Sequence, residues 1–550
     1  MNTRRSAGTS LSTRAATRQL IYVLIEIFVL SLALVPTVTV QAQQREMPLT
    51  LREATAFALQ GNLEIQVAGL NPPIRAAQIT EREGIFDLMT RASLRATDSN
   101  TLETATAFLK RVNGQLVGQD DSQEQRLALG ISQLTLYGGT YDIELSTSHL
   151  GTASRRTTMT ELRAFRDRCA LAFPGTCDPI PQSELYTSEA ILRATQPLLR
   201  DFGSAVTKTQ IFIAQNNLTI SKEDFRRQVI VITSRVQQAY WDLVFRRQDL
   251  EVQKQQLVLL QQLLDQIRKQ VAVGTLAPLD VLQAETNISR TEERILLVNN
   301  ALRTAEDRLK RVMNFSLTGE RADVAIVPAD PPTYTDPELD QDEQIRQALE
   351  QRADLIQAKL TLENQHISLV FEKNQALPTL DLEASLRLNG IDNRFGGSFG
   401  EIEPTKRYSW GVGVVFNYPL QNRQAQSRVQ QSQLTIRQQM VRIKDLEENI
   451  IVEVRNSFRD VLTNSQRVQA SRISSRLAQK QLEAEEKKLQ VGLATVFTTL
   501  QFQDVLAQQR SNEINAITEY LKALVRLEES KNTLLQSYHI ILQADGPRLQ

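Results

Sequence analysis

Val273-Gly274-Thr275-Leu276-Ala277-Pro278-Leu279-Asp280 is the stretch on which the reading of the fold depends. It closes a run from about Ser204 to Val271 that holds neither Pro nor Gly and is rich in Gln, Glu, Arg, Lys, Leu and Ala, the composition of an unbroken helix. Gly takes the left-handed conformation that ends a helix at least cost, and Pro278 falls early in the next helix, where its missing amide hydrogen costs nothing. Val491-Gly492-Leu493-Ala494-Thr495-Val496-Phe497-Thr498 closes a second such run, from about Gln424 to Leu489, in the same manner. Two long helical hairpins follow, with tips near 274–280 and 492–498. At 1.5 Å per residue each long arm reaches on the order of 100 Å, more than a globular core uses.

The arms carry a narrow apolar stripe. Leu250, Leu257, Leu264 and Val271 recur every seven residues with Leu260 and Ile267 in the complementary positions. On the returning helix Ile295, Leu302 and Leu309 recur with Val298, Ala305 and Val312. Such a seam packs helices as antiparallel coiled coils and leaves their other faces polar.

Ahead of each hairpin the period changes from helical to two. Leu380, Leu382, Ala384, Leu386 and Leu388 alternate with Asp381, Glu383, Ser385 and Arg387. Tyr408, Trp410, Val412, Val414, Phe416 and Tyr418 alternate with Ser409, Gly411, Gly413, Val415 and Asn417. These predict strands at about 379–389 and 408–420, each of a length that crosses a bilayer when tilted. In the first half Leu88, Thr90, Ala92, Leu94 and Ala96 alternate with Arg91, Ser93 and Arg95, and residues near 127–148 and 186–198 also read as extended, their strand number left open. A soluble sheet with one solvated face would show the same alternation.

The chain repeats its plan. Ala58-Leu59 and Leu63-Glu64-Ile65 match Ala348-Leu349 and Ala353-Asp354-Leu355, while Val236, Tyr240 and Asp242 match Val454, Phe458 and Asp460 in the same order. The first repeat is expected over 43–330 and the second over 331–550. The extra length of the first falls in an enlarged loop at about 97–186, expected to lie outside the lipid.

Arg4, Arg5, Arg14 and Arg18 precede an apolar run from Leu20 to Val35 that contains Glu26, and Val40-Gln41-Ala42 supplies small residues for cleavage, so residues 1–42 read as a secretory signal peptide. Removing those four Arg and Glu26 leaves 59 basic against 62 acidic residues, a net charge of −3, which offers nothing to nucleic acid. The remainder has no apolar run long enough for a transmembrane helix. Cys169 and Cys177 lie close together in a chain bound for an oxidising compartment and are expected to form a local disulfide.

With these features in hand the chain resembles the TolC-like outer-membrane efflux family. The residues that carry the resemblance are Leu49-Thr50-Leu51-Arg52-Glu53-Ala54 with Ala58-Leu59, then Thr195-Gln196-Pro197-Leu198-Leu199-Arg200-Asp201-Phe202-Gly203, and then the two Val-Gly tips followed by Asp280-Val281-Leu282-Gln283-Ala284 and Leu500-Gln501. The resemblance implies an α+β membrane protein and a homotrimer, with two strands from each repeat joining one twelve-stranded β-barrel and the helices forming an α-barrel across the periplasm. It also implies passive conduction from periplasm to exterior, as the exit duct of a tripartite efflux pump or type I secretion system, with a periplasmic adaptor and an inner-membrane transporter as partners.

The family's second tip is acidic, yet here the matching positions carry Thr498 and Gln501, and Ala494 stands where a basic residue is expected. Asp280 and Asp504 are the remaining acids, so Gly274, Asp280, Gly492, Thr498, Gln501 and Asp504 form the candidate gating set. His149, His366 and His539 are scattered and no catalytic or metal-binding motif occurs, so neither an enzyme, a cofactor nor a metal site is expected. The competing function is a non-conducting periplasmic coiled-coil scaffold.

Overall fold

The computed structural model describes residues 46–102, 119–154, 185–316, 318, 324–543 and 546–549. The signal segment and both Cys169 and Cys177 lie outside the described residues.

Strand β1 (Glu46–Leu49) leads into helices α1 (Leu51–Gly61), α2 (Leu63–Gly69) and α3 (Asn71–Glu83). Thr50 starts α1 with a capping box: its hydroxyl accepts from the Glu53 amide, and the Glu53 carboxylate accepts from the Thr50 amide at 2.8 Å. Four strands come next, β2 (Met89–Leu102), β3 (Gln119–Leu134), β4 (Thr140–Ser154) and β5 (Leu185–Pro197). Helix α4 (Thr209–Ala272) then runs 64 residues, about 96 Å at 1.5 Å per residue. It turns back as α5 (Pro278–Val312).

The second half has β6 (Ala325–Pro328), α6 (Gln341–Gln351), α7 (Ala353–Gln375), β7 (Thr379–Asp392) and β8 (Tyr408–Asn417). Helix α8 (Arg423–Gln490) and the returning α9 (Val496–Lys531) complete it. Neither returning helix is as long as its partner. Elsewhere the long arms are packed by α3 and α7: Gly69, just before α3, comes up against the Phe225 ring, and Asn216 of α4 donates to Asn364 of α7 at 2.9 Å.

Burial follows the sevenfold stripe. Leu250, Leu260, Leu264 and Ile267 are buried on α4, as are Ala305 and Leu309 on α5. The widest apolar cluster lies where α1, α4 and α5 meet the β1–β6 ribbon, with Tyr240, Leu243 and Ile326 at its centre. A second gathers Ile450, Val454, Phe458, Tyr520 and Leu527 from α8 and α9 with Ala348 and Leu355 from α6 and α7. Among the described residues no helix is long and apolar enough to cross a membrane.

Among the described residues six strands form one antiparallel sheet in the order β2-β3-β4-β5-β7-β8. This corrects the expectation of two strands from each half, on which the twelve-strand count stood: among the described residues the first half supplies four to this sheet. It also corrects the enlarged loop at 97–186, since β3 and β4 lie within it and are laddered to β2 and β5. The physical reason is local. The outer part of β3 reads Gln119-Asp120-Asp121-Ser122-Gln123-Glu124, a polar run with no alternation, and only Leu127, Leu129 and Ile131 show the period of two.

The register places one apolar face across all six strands. Leu94 of β2 faces Leu127 of β3, and Leu129 of β3 faces Leu145 of β4. Ile143 faces Leu192 of β5, Leu192 faces Leu386 of β7, and Leu386 faces Trp410 of β8. Leu94 and Trp410 are 80% and 70% exposed, at opposite edges of the band. A continuous apolar surface of this kind marks contact with lipid or another apolar phase. The opposite face is charged: Arg126 pairs with Glu144 at 3.1 Å, Arg193 with Asp142 at 3.5 Å and Arg387 with Glu189 at 4.0 Å, linking β3, β4, β5 and β7.

Candidate functional site

The two hairpin tips share one backbone solution. At the first, Gly274 has φ 79°, its amide donates to Val271 O at 3.0 Å, and the Thr275 amide donates to Gln270 O at 2.9 Å. At the second, Gly492 has φ 75°, its amide donates to Leu489 O at 3.1 Å, and the Leu493 amide donates to Lys488 O at 2.8 Å. Both close the helix with the paired bonds of a left-handed C-terminal motif. The tips are not independent: Val496 and Leu500 of α9 join Leu260, Leu263, Leu264 and Ile267 of α4 and Ala284 of α5 in one buried cluster.

The sequence-chosen side chains at these tips differ in setting. Asp280 accepts from the Ala277 amide at 3.1 Å and so caps the start of α5. The Thr498 amide donates to Thr495 Oγ1 at 3.2 Å, closing the start of α9, and Gln501 is exposed one turn on. Asp504 is half-buried between hairpins: burial pushes its carboxyl up, while the positive charges of Arg294 and Arg290 of α5 and the nearby Gln256 side chain of α4 act against the shift. These six residues therefore do not form one constellation; Asp504 alone faces the opposite hairpin.

Sequence reasoning missed Glu485. It is buried on α8 in this region, and the nearby Thr498 hydroxyl and Lys488, 3.3 Å away, hold it below the usual carboxylate range. The three-residue spacing of Glu485 and Lys488 was the available signal. Among the described residues no three His, Cys, Asp or Glu side chains gather as a metal site would require.

At the other end of the rods the segment Thr195–Gly203 is the joint between sheet and helix. Asp201 (φ 63°) and Gly203 (φ 105°) turn the chain from β5 toward α4. The Asp201 amide donates to Asn374 Oδ1 at 2.7 Å, Asn374 Nδ2 donates to Leu199 O at 3.0 Å, and Arg200 Nε donates to Gln375 Oε1 at 2.8 Å. The first half is thus bolted to the end of α7 in the second. Sheet and rods are one continuous body along which a conduit can run.

The profile of the family described as outer membrane efflux protein matches residues 182–314 and 344–533, which take in both hairpins with strands β5, β7 and β8. The chain belongs to that family. The outer membrane is therefore its location, with the helical part in the periplasm. A curated relative of the efflux protein, outer membrane protein TolC of Escherichia coli strain K12, is 23% identical over 279 residues, 49% of this chain and 55% of TolC. The chain spans about half the length of the curated relatives it matches. Solved structures share the fold over more of it. The outer-membrane channel OprN superposes with a TM-score of 0.62 at 13% identity, over 88% of this chain and 90% of that one. The Campylobacter jejuni CmeC outer membrane channel gives 0.60 at 12% identity, over 88% and 86%.

Proposed function

We propose that the chain is one subunit of a homotrimeric exit duct, passively conducting substrate from periplasm to exterior for a tripartite efflux pump or a type I secretion machine. The observation that carries this reading is a sheet with one apolar and one charged face, open at both edges among the described residues and continuous with two helical hairpins. An open edge in lipid leaves backbone groups unsatisfied at several kcal/mol each, so copies must complete one another's sheet. Three copies also place six hairpins around one axis, an α-barrel that prolongs the pore into the periplasm. The repeated order of helices, strands and hairpin in the two halves gives that ring near-equivalent members.

The tips form the gate. Gly274, Asp280, Gly492, Thr498 and Gln501 shape the two tips, and the attraction of Asp504 for Arg290 and Arg294 of the other hairpin is what opening would break. A periplasmic adaptor engages the tips and an inner-membrane transporter supplies the energy. A host lacking the chain should accumulate a fluorescent efflux dye, and re-expression should clear it. Recovery of the protein from the periplasm or from a high-salt wash of membranes, with unchanged dye accumulation, would favour a coiled-coil scaffold instead.

A further inference from the structure

We propose that the β3–β4 hairpin is part of the barrel wall, so that three copies close an eighteen-stranded barrel sealed by pairing β8 of one copy with β2 of the next. The inference rests on the trimeric duct above. Four observations support the wall position. First, β3 and β4 are laddered to each other and to both neighbours, from Met89↔Ser132 to Leu102↔Gln119 on one side and from Thr140↔Thr195 to Leu150↔Leu185 on the other. Second, Leu127, Leu129, Ile131, Ile143 and Leu145 extend the apolar face in register with Leu192 and Leu386. A hairpin lying on the outside of a completed wall would have no reason to carry that band in step.

Third, the hairpin supplies Arg126, Glu144 and Asp142 to the ion pairs of the charged face. Fourth, its inner turn is locked to the sheet–helix joint. The Gly203 amide donates to Tyr137 O at 3.3 Å, the Tyr137 and Phe202 rings stack at 6.4 Å, and a Cβ on Gly138 would sit 2.2 Å from Asp201 O. Gly138 also has φ 88°, so the turn at this joint is built for glycine.

The seam between copies follows from the two open edges. β2 leaves the helical end and β8 returns to it, so β2 of a second copy lies antiparallel beside β8 with Met89 and Asn417 at the same, helix-proximal end. The charges at these edges are complementary. Arg91 and Arg95 on β2 make no ion pair among the described residues, and Arg95 stands opposite Arg126, which is already engaged by Glu144. Asp381 and Glu383 on β7 likewise make none among the described residues. Between β7 and the edge lie Gly411 and Gly413 of β8, opposite Ser385 and Glu383, and a Cβ on Gly413 would meet nothing within 4 Å. That bare strip lets the arginines of one copy reach across β8 to the acids of the next.

With strands about 4.8 Å apart and tilted by about 40°, eighteen strands give a barrel about 36 Å across, against about 24 Å for twelve. The barrel is then of porin width, and resistance to flow resides at the helical tips.

Electron cryomicroscopy of the full chain in lipid nanodiscs tests the count directly in a cross-section through β7. Eighteen strands are expected. A threefold twelve-stranded wall with β3–β4 outside it overturns this inference and leaves the duct standing, whereas no shared ring overturns both. The seam is tested by charge reversal. Arg95→Glu should lower the trimer fraction in detergent about tenfold, since three seams each lose a pair and gain a repulsion, and Glu383→Arg in the same chain should restore it. An unaffected trimer, or a loss that the second substitution does not rescue, overturns the seam.

Discussion

Gly274 and Gly492 hold the same left-handed backbone, φ 79° and 75°, at the ends of two helices that share no residues and lie in different halves of the chain. A Cβ at either position would meet nothing within 4 Å, so only backbone conformation, not space, demands glycine there. Gly274→Ala or Gly492→Ala should therefore cost about 1 kcal/mol at the tip alone. Hydrogen exchange should quicken at 271–277 or 489–495 respectively, with the sheet unchanged.

The apolar and charged faces of the sheet make opposite demands on neighbouring positions. Trp410 lies on the apolar face and Ser409 on the other. Trp410→Arg should cost about 2–4 kcal/mol of membrane stability and lower the fraction recovered in outer membranes, while Ser409→Arg should be tolerated. Equal loss from both would contradict a two-faced wall.

Tyr240 is fully buried, and its hydroxyl donates to Asp330 Oδ2 at 2.8 Å, an oxygen that also accepts from the Leu51 amide at 2.6 Å. This joins α4 to the connection after β6 and to the start of α1. Tyr240→Phe should cost about 1–2 kcal/mol in denaturant unfolding, because Asp330 loses a donor where water has little access. A shift below the error of the measurement would show that the bond is not structural.

Arg352 holds Asp354 through two bonds, at 2.7 and 3.0 Å, and also reaches Glu453 at 2.6 Å and Ser530 O at 3.0 Å. Burial pushes the Asp354 carboxyl up, but the arginine outweighs it and the net direction is down. A carboxyl depressed on folding stabilises the fold at pH values above its unfolded pKa, near 4, and loses that contribution as pH falls through the lower folded value. Asp354→Asn should therefore flatten the acid side of the stability curve below about pH 4. Arg352→Ala should cost about 2 kcal/mol at neutral pH by leaving a half-buried charge unpaired.

How much of this was legible varied with how local the signal is. The long helices were readable because absence of Gly and Pro and a sevenfold stripe are properties of the chain itself. Strands β7 and β8 were readable because their alternation runs nearly end to end. The outer part of β3 was not, because its first six residues are polar and only its laddering to β2 and β4 shows them to be strand, whereas the stretch near 127–148 reads as extended. The tip glycines announce themselves by residue type, whereas the setting of Asp504 depends on Gln256, Arg290 and Arg294, brought to it by two other helices. No spacing in the sequence encodes that approach. The Tyr240–Asp330 bond spans 90 residues and was equally out of reach.

Reconstitution of the purified chain into planar lipid bilayers tests the central claim most directly. Discrete, uniform current steps whose size grows when the tip contact is loosened by Asp504→Ala are the expected result. A bilayer that stays electrically silent with both the native chain and the loosened variant, although protein is embedded in it, would contradict the account.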